Sequence, residues 1–96
     1  MRLRPARPAD ADALTDLALR SKAHWGYDAA FIEACRAELT ITPGRIAREA
    51  MVVAEVDGRI VGFVAVDGDS LEDLFAEPDA IGTGVGSALL AAAVDI

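Results

Sequence analysis

Ninety-six residues, 53% of them hydrophobic, suffice for one domain near the lower edge of self-sufficient cores, and they exclude a disordered tail. Nine basic against 16 acidic residues leave a formal charge of -7, which excludes nucleic acid as an expected partner, because phosphate backbones need a basic footprint. A single cysteine, Cys35, excludes an internal disulfide; no apolar run is long enough for a membrane span and no signal-peptide core follows Met1, so the expected setting is cytoplasmic.

In chain order, Arg2 to Ala6 reads as a short strand closed by Pro5 and Pro8. Ala9 to about Ala23 reads as a helix, with Asp10 and Asp12 in its first turn and a narrow stripe of Leu14, Leu17, Ala18 and Ser21. His24-Trp25-Gly26-Tyr27 interrupts it. Asp28 is a suitable N-cap for a second helix, Ala29 to about Leu39, with Phe31, Cys35 and Leu39 on one face. Pro43-Gly44 reads as a turn, followed by one helical turn over Arg45 to Glu49. Met51–Val56 and Arg59–Val66 flank Asp57-Gly58, the favoured type I′ hairpin link, in which both central residues must accept positive φ. Gly68-Asp69 is a second turn, Ser70 to Ala76 a further strand, and Pro78 stops it. Thr83 to the C-terminus reads as a helix whose buried stripe is Val85, Leu89, Ala92 and Ile96. The order β-α-α-β-β-β-α predicts an α+β fold, helices packed on a mainly antiparallel sheet.

The chemistry-bearing segment is Ile81-Gly82-Thr83-Gly84-Val85-Gly86, between a strand and a helix. Glycines allow a ligand close to the backbone, and N–H groups converging at a helix start attract phosphate. A P-loop is excluded because no lysine follows, and a dinucleotide fingerprint is excluded because the last glycine spacing is one residue and five residues separate the strand from the first glycine. Two readings stand on spacing alone: a pyrophosphate cradle, or a glycine-rich turn that serves tight helix–strand packing.

Leu71-Glu72-Asp73-Leu74-Phe75-Ala76-Glu77-Pro78, followed by Ile81 to Leu90, resembles motif A of the GCN5-related N-acetyltransferases: a strand, a proline, then Arg/Gln-x-x-Gly-x-Gly/Ala opening a helix. Arg4-Pro5-Ala6 leading to Asp10-Ala11 is similar to the family's opening, and Ser21 to Asp28 resembles a hallmark of one bacterial subgroup. The resemblance spans residues 1–96 as one domain. It implies the GNAT-like acyl-CoA N-acyltransferase fold and transfer of an acetyl group from acetyl-CoA, with no metal, to the amine of a small-molecule or peptide acceptor. The backbone from Gly82 through Thr83, Gly84 and Val85 to Gly86 would cradle the coenzyme A pyrophosphate, and that of Leu74, Phe75 and Ala76 would pair with the pantetheine arm like an added strand. The amine would attack the thioester directly, with a general base taking its proton and a strand amide stabilising the oxyanion. Two departures from the pattern stand out. Ile81 occupies the Arg/Gln position, and family members normally continue with further strands and a helix that commonly supplies a tyrosine acid. The resemblance therefore implies a C-terminally truncated domain, and it leaves a second reading open: a catalytically inactive relative that binds CoA or dimerises through an uncovered sheet edge.

Glu72 and Asp73 alternate on the strand, one to each face, and either is a general base or a solvated carboxylate, with Glu72 the catalytic candidate. Glu77 reads as polar loop. His24 is read as a structural or pocket residue, or as catalytic. Trp25 and Tyr27 either contact the acceptor, in part by cation–π interaction, or anchor the corner between the first two helices. Cys35 reads as a buried small hydrophobe.

Overall fold

A computed structural model describes residues 1–95; the Ile96 of the expected last stripe lies outside the described residues. Four strands, β1 (Arg2–Pro5), β2 (Ala50–Val56), β3 (Arg59–Asp67) and β4 (Ser70–Ala76), form one antiparallel sheet in the order β1-β2-β3-β4. Helices α1 (Ala11–His24), α2 (Ala29–Leu39) and α3 (Pro43–Arg48) precede the hairpins, and α4 (Val85–Val94) follows them. The β-α-α-β-β-β-α reading holds, with α3 as an added short helix.

The sheet buries both faces. On one, Leu14, Leu17 and Ala18 of α1 pack with Leu39, Ile46, Met51, Val53 and Phe63; on the other, Val85 and Leu89 of α4 pack with Ala54, Val61, Val64 and Val66. This explains why β3 reads as an unbroken apolar run rather than an alternating one. The α1 stripe is buried as the spacing requires, Ser21 included. The α2 stripe is graded instead: Leu39 is buried, Cys35 half-buried and Phe31 exposed, because α2 leaves the core toward its N-terminus. In α4 Val85 and Leu89 are buried, whereas Ala92 is only half-buried.

Local chemistry corrects several boundaries. Pro8–Asp10 is a separate 3-10 turn, and Asp10 answers to Arg4 rather than to the helix dipole: Arg4 Nη1 donates to Asp10 Oδ2 at 2.9 Å, and the Arg7 amide donates to the same oxygen at 2.7 Å. Pro43-Gly44 opens α3 instead of preceding it. The Thr42 hydroxyl accepts from the Arg45 amide, and proline suits the first helical position because no partner is needed for its missing N–H. The Asp57-Gly58 link is as expected, with φ of 52° and 80°. The last helix starts at Val85, two residues late, since Gly82 and Gly84 adopt φ of 85° and 91°, which a right-handed helix does not allow.

Candidate functional site

β4 is an edge strand: β3 pairs with one side of it, and among the described residues nothing pairs with the other. Opposite Ala65 lies Asp73 and opposite Val66 lies Leu71, so Glu72 is an extra residue in a β-bulge. The bulge and two carboxylates block strand pairing along the first half of the edge, while Leu74, Phe75 and Ala76 keep regular register with Val64, Phe63 and Gly62. What remains open to a visitor is a three-residue stretch of backbone.

That stretch opens into a cleft of about 200 Å³, which Leu74, Phe75 and Ala76 line together with Ser21 and Trp25 from the end of α1, Ile81 from the loop and Gly86 from the start of α4. The α4 N-terminus is left bare. Gly84 is its N-cap and offers no side chain, so the amides of Val85, Gly86 and Ser87 have no cap, and the first helical bond is Ala88 N–H to Gly84 O at 3.0 Å. Thr83 is exposed, and its amide and its hydroxyl both donate to Ala80 O, at 3.2 and 2.5 Å.

The glycines of this loop do not serve close packing. A Cβ at Gly82, Gly84 or Gly86 would meet nothing within 4 Å. The close approach is made at Gly62 in β3, where a Cβ would lie 2.8 Å from Val85 Cγ1 and 2.9 Å from Leu89 Cδ1. Gly62 thus sets the depth at which α4 sits, a role its place in an apolar strand does not advertise.

The acidic candidates are not where alternation puts them. Because of the bulge, Glu72 and Asp73 line the same polar cleft of about 410 Å³, with Glu38 and Asp67 nearby. Asp73 accepts from Arg45 Nη2 at 2.7 Å, and Arg45 also holds Glu49 through Nε at 2.6 Å. The hydrogen bond from Arg45 keeps the Glu49 carboxyl below the usual carboxylate range against the opposing effect of burial. Glu72 is exposed and, among the described residues, takes part in no salt bridge. Glu77 corrects the loop reading: it is 3% exposed and ion-paired to Arg20 of α1, with Arg59 Nη2 at 3.9 Å. Its amide donates to Val61 O at 2.8 Å, so the strand exit is anchored to α1 and β3 at once. The sequence carries no signal for this, because the partners lie 57 and 18 positions away.

Trp25 is 65% exposed and stands at the cleft, with His24 edge-on to it at 5.1 Å between ring centroids. Tyr27 lies apart, stacked on Phe31 at 4.7 Å, and Lys22 Nζ sits 5.1 Å from its ring centroid. Its ring face therefore already carries a cation from this chain.

A family model described as an acetyltransferase (GNAT) domain matches residues 47–96, from the end of α3 through the hairpins, β4, the glycine loop and α4. The chain belongs to the GNAT acetyltransferase family. Among solved structures, the fold is similar to that of the PaiA N-acetyltransferase of Thermoplasma acidophilum in complex with coenzyme A, at TM-score 0.81 and 19% identity over 98% of this chain and 69% of that one. It is similar to a GCN5-related N-acetyltransferase of Rhodopseudomonas palustris at TM-score 0.80 and 26% identity, over 98% and 63% of the two chains. The apo form of YjaB from Escherichia coli follows at TM-score 0.76 and 24% identity, over 98% and 64%. The chain thus spans about two thirds of the length of these relatives. No curated protein matches it. Among the described residues, no helix is long and apolar enough to cross a membrane.

Proposed function

We propose that residues 1–96 belong to a single acyltransferase domain that binds acetyl-CoA and passes the acetyl group to the amine of a small-molecule or peptide acceptor. One observation carries this reading: the open backbone of Leu74–Ala76 and the uncapped start of α4 at Gly86 border the same cleft. An anion held by the α4 amides would leave an extended arm free to lie along β4 as a short added strand. A relative of similar fold, the Thermoplasma enzyme, was solved with coenzyme A, which supports the same ligand here.

In this reading the acceptor nitrogen attacks the thioester carbonyl, a β4 amide stabilises the oxyanion, and the C–S bond breaks to release the thiolate. Glu72 takes the amine proton, being the β4 carboxylate left free of an arginine. Trp25 borders the acceptor side, and Tyr27, apart from the cleft with Lys22 on its ring, is the second acceptor-contact residue of this reading.

The test is titration of the protein with coenzyme A and acetyl-CoA, followed by amide shifts. Movement at Val85, Gly86 and Ser87 together with Leu74–Ala76 is expected; shifts that stay unmoved at millimolar ligand sink the reading. A second reading, an inactive module that binds CoA or self-associates, is favoured by the exposed Leu71, Leu74, Ile81, Leu90 and Val94. Sustained thiol release with any amine removes its inactive part, and a monomer by light scattering removes self-association.

A further inference from the structure

Ser21 is the one hydroxyl in the buried stripe of α1, whose other members are Ala11, Leu14, Leu17 and Ala18. It is 6% exposed and lines the cleft at the open edge of β4. Serine and threonine in helices usually return their hydroxyl to the carbonyl four residues back. Thr15 does so to Ala11 O at 3.0 Å, and Thr40 does so to Arg36 O at 2.6 Å. Ser21 makes no such bond, nor any other side-chain hydrogen bond among the described residues. Among the described residues no sealed side-chain polar atom lacks a partner, so the Ser21 hydroxyl is reached from the cleft it lines.

The rest of the lining is aliphatic or aromatic side chain and backbone: Trp25, Leu74, Phe75, Ala76, Ile81 and Gly86. A polar group that enters such a cleft loses water and must find a partner there. A hydroxyl held nine-tenths buried, unbonded and facing an open strand is such a partner, and it is placed to discriminate among ligands.

Resting on the reading that the pantetheine arm lies along Leu74–Ala76, we infer that Ser21 is a co-substrate-binding residue whose hydroxyl donates a hydrogen bond to an amide carbonyl of that arm. The arm carries two amides, and in this arrangement one that is not paired with β4 would turn its carbonyl toward α1. This contact makes the site selective for a pantetheine-bearing nucleotide over the nucleotide alone, which meets only the start of α4.

The test compares calorimetric binding of coenzyme A and of adenosine 3′,5′-bisphosphate to the wild-type chain, Ser21→Ala and Ser21→Cys. Cysteine keeps the side-chain shape but is a weak donor, so it guards against a folding defect in the alanine variant. Expected is a loss of roughly 3- to 10-fold in coenzyme A affinity in both variants, with bisphosphate affinity unchanged. Undiminished coenzyme A affinity in a folded variant overturns the contact and leaves the family-site reading intact. Equal loss for both ligands also overturns it, since that result reports a displaced α4. A wild-type chain that binds neither ligand overturns both.

Discussion

Gly62 and Val85 are in contact so close that a single added carbon does not fit: a Cβ on Gly62 would stand 2.8 Å from Val85 Cγ1. Val85 is the first residue of α4 and lies one position from the uncapped Gly86 amide, so β3 positions the proposed anion site from beneath. The Phe75 carbonyl, 3.0 Å from that Cβ, closes the third side. Gly62→Ala is therefore expected to lower stability by about 1–3 kcal/mol through overpacking and to weaken coenzyme A binding together with it. Urea unfolding and calorimetry on the same variant check both halves. A variant as stable as the parent would show that α4 shifts freely.

Gly84 and Gly86 should behave oppositely. Gly84 has φ of 91°, so Gly84→Ala forces a left-handed alanine and is expected to cost about 1–2 kcal/mol. Gly86 lies in the first turn of α4 with open space around its Cβ position, and Gly86→Ala should leave stability equal or up to about 1 kcal/mol higher. Coenzyme A affinity should fall in both, in the second case because a methyl group would stand where the proposed ligand meets the backbone. Unchanged affinity in Gly86→Ala would remove this glycine from the site.

The two carboxylates of the β4 bulge separate by their partners. Glu72→Gln should lower kcat by roughly 10²- to 10⁴-fold while leaving coenzyme A affinity intact, as expected for a general base. Asp73→Asn breaks its pairing with Arg45 and should act on stability, with kcat within tenfold of the parent. Thiol release at saturating acceptor, run beside thermal melts, distinguishes them; the reverse pattern would move the base to Asp73.

Acid sensitivity follows from the arginine clusters. The hydrogen bond from Arg4 lowers the Asp10 carboxyl below its ordinary 3.8, and that from Arg45 lowers Glu49 below 4.5. Folded carboxyls thus bind protons less readily than unfolded ones, so their contribution is complete above about pH 5 and is lost as pH falls through the lower folded values. Asp10→Asn and Glu49→Gln should each destabilise the protein at pH 7, and the difference from the parent should be smaller at pH 3. Denaturant unfolding at the two pH values tests this; a constant difference would mean the pairs contribute nothing through ionisation.

The hairpins, the α1 stripe, the Asp57-Gly58 link and the glycine loop were all legible along the chain, because each is set by neighbours within a few residues. Positive φ needs glycine or aspartate, a buried helix face needs a 3.6-residue period, and a bare helix start needs a residue without a capping group. The same motif carried the family. What distance in sequence hides is different in kind. The bulge that turns Glu72 and Asp73 into one cleft depends on register with β3, and the burial of Glu77 depends on Arg20, 57 residues before it. That Gly62 bears α4 and that Ser21 opens into the cleft depend on which layer packs over which. Local chemistry alone determined the elements and the positive-φ glycine loop; only tertiary packing decided which side chains share the cleft, since a contact between distant residues leaves no pattern in either segment by itself.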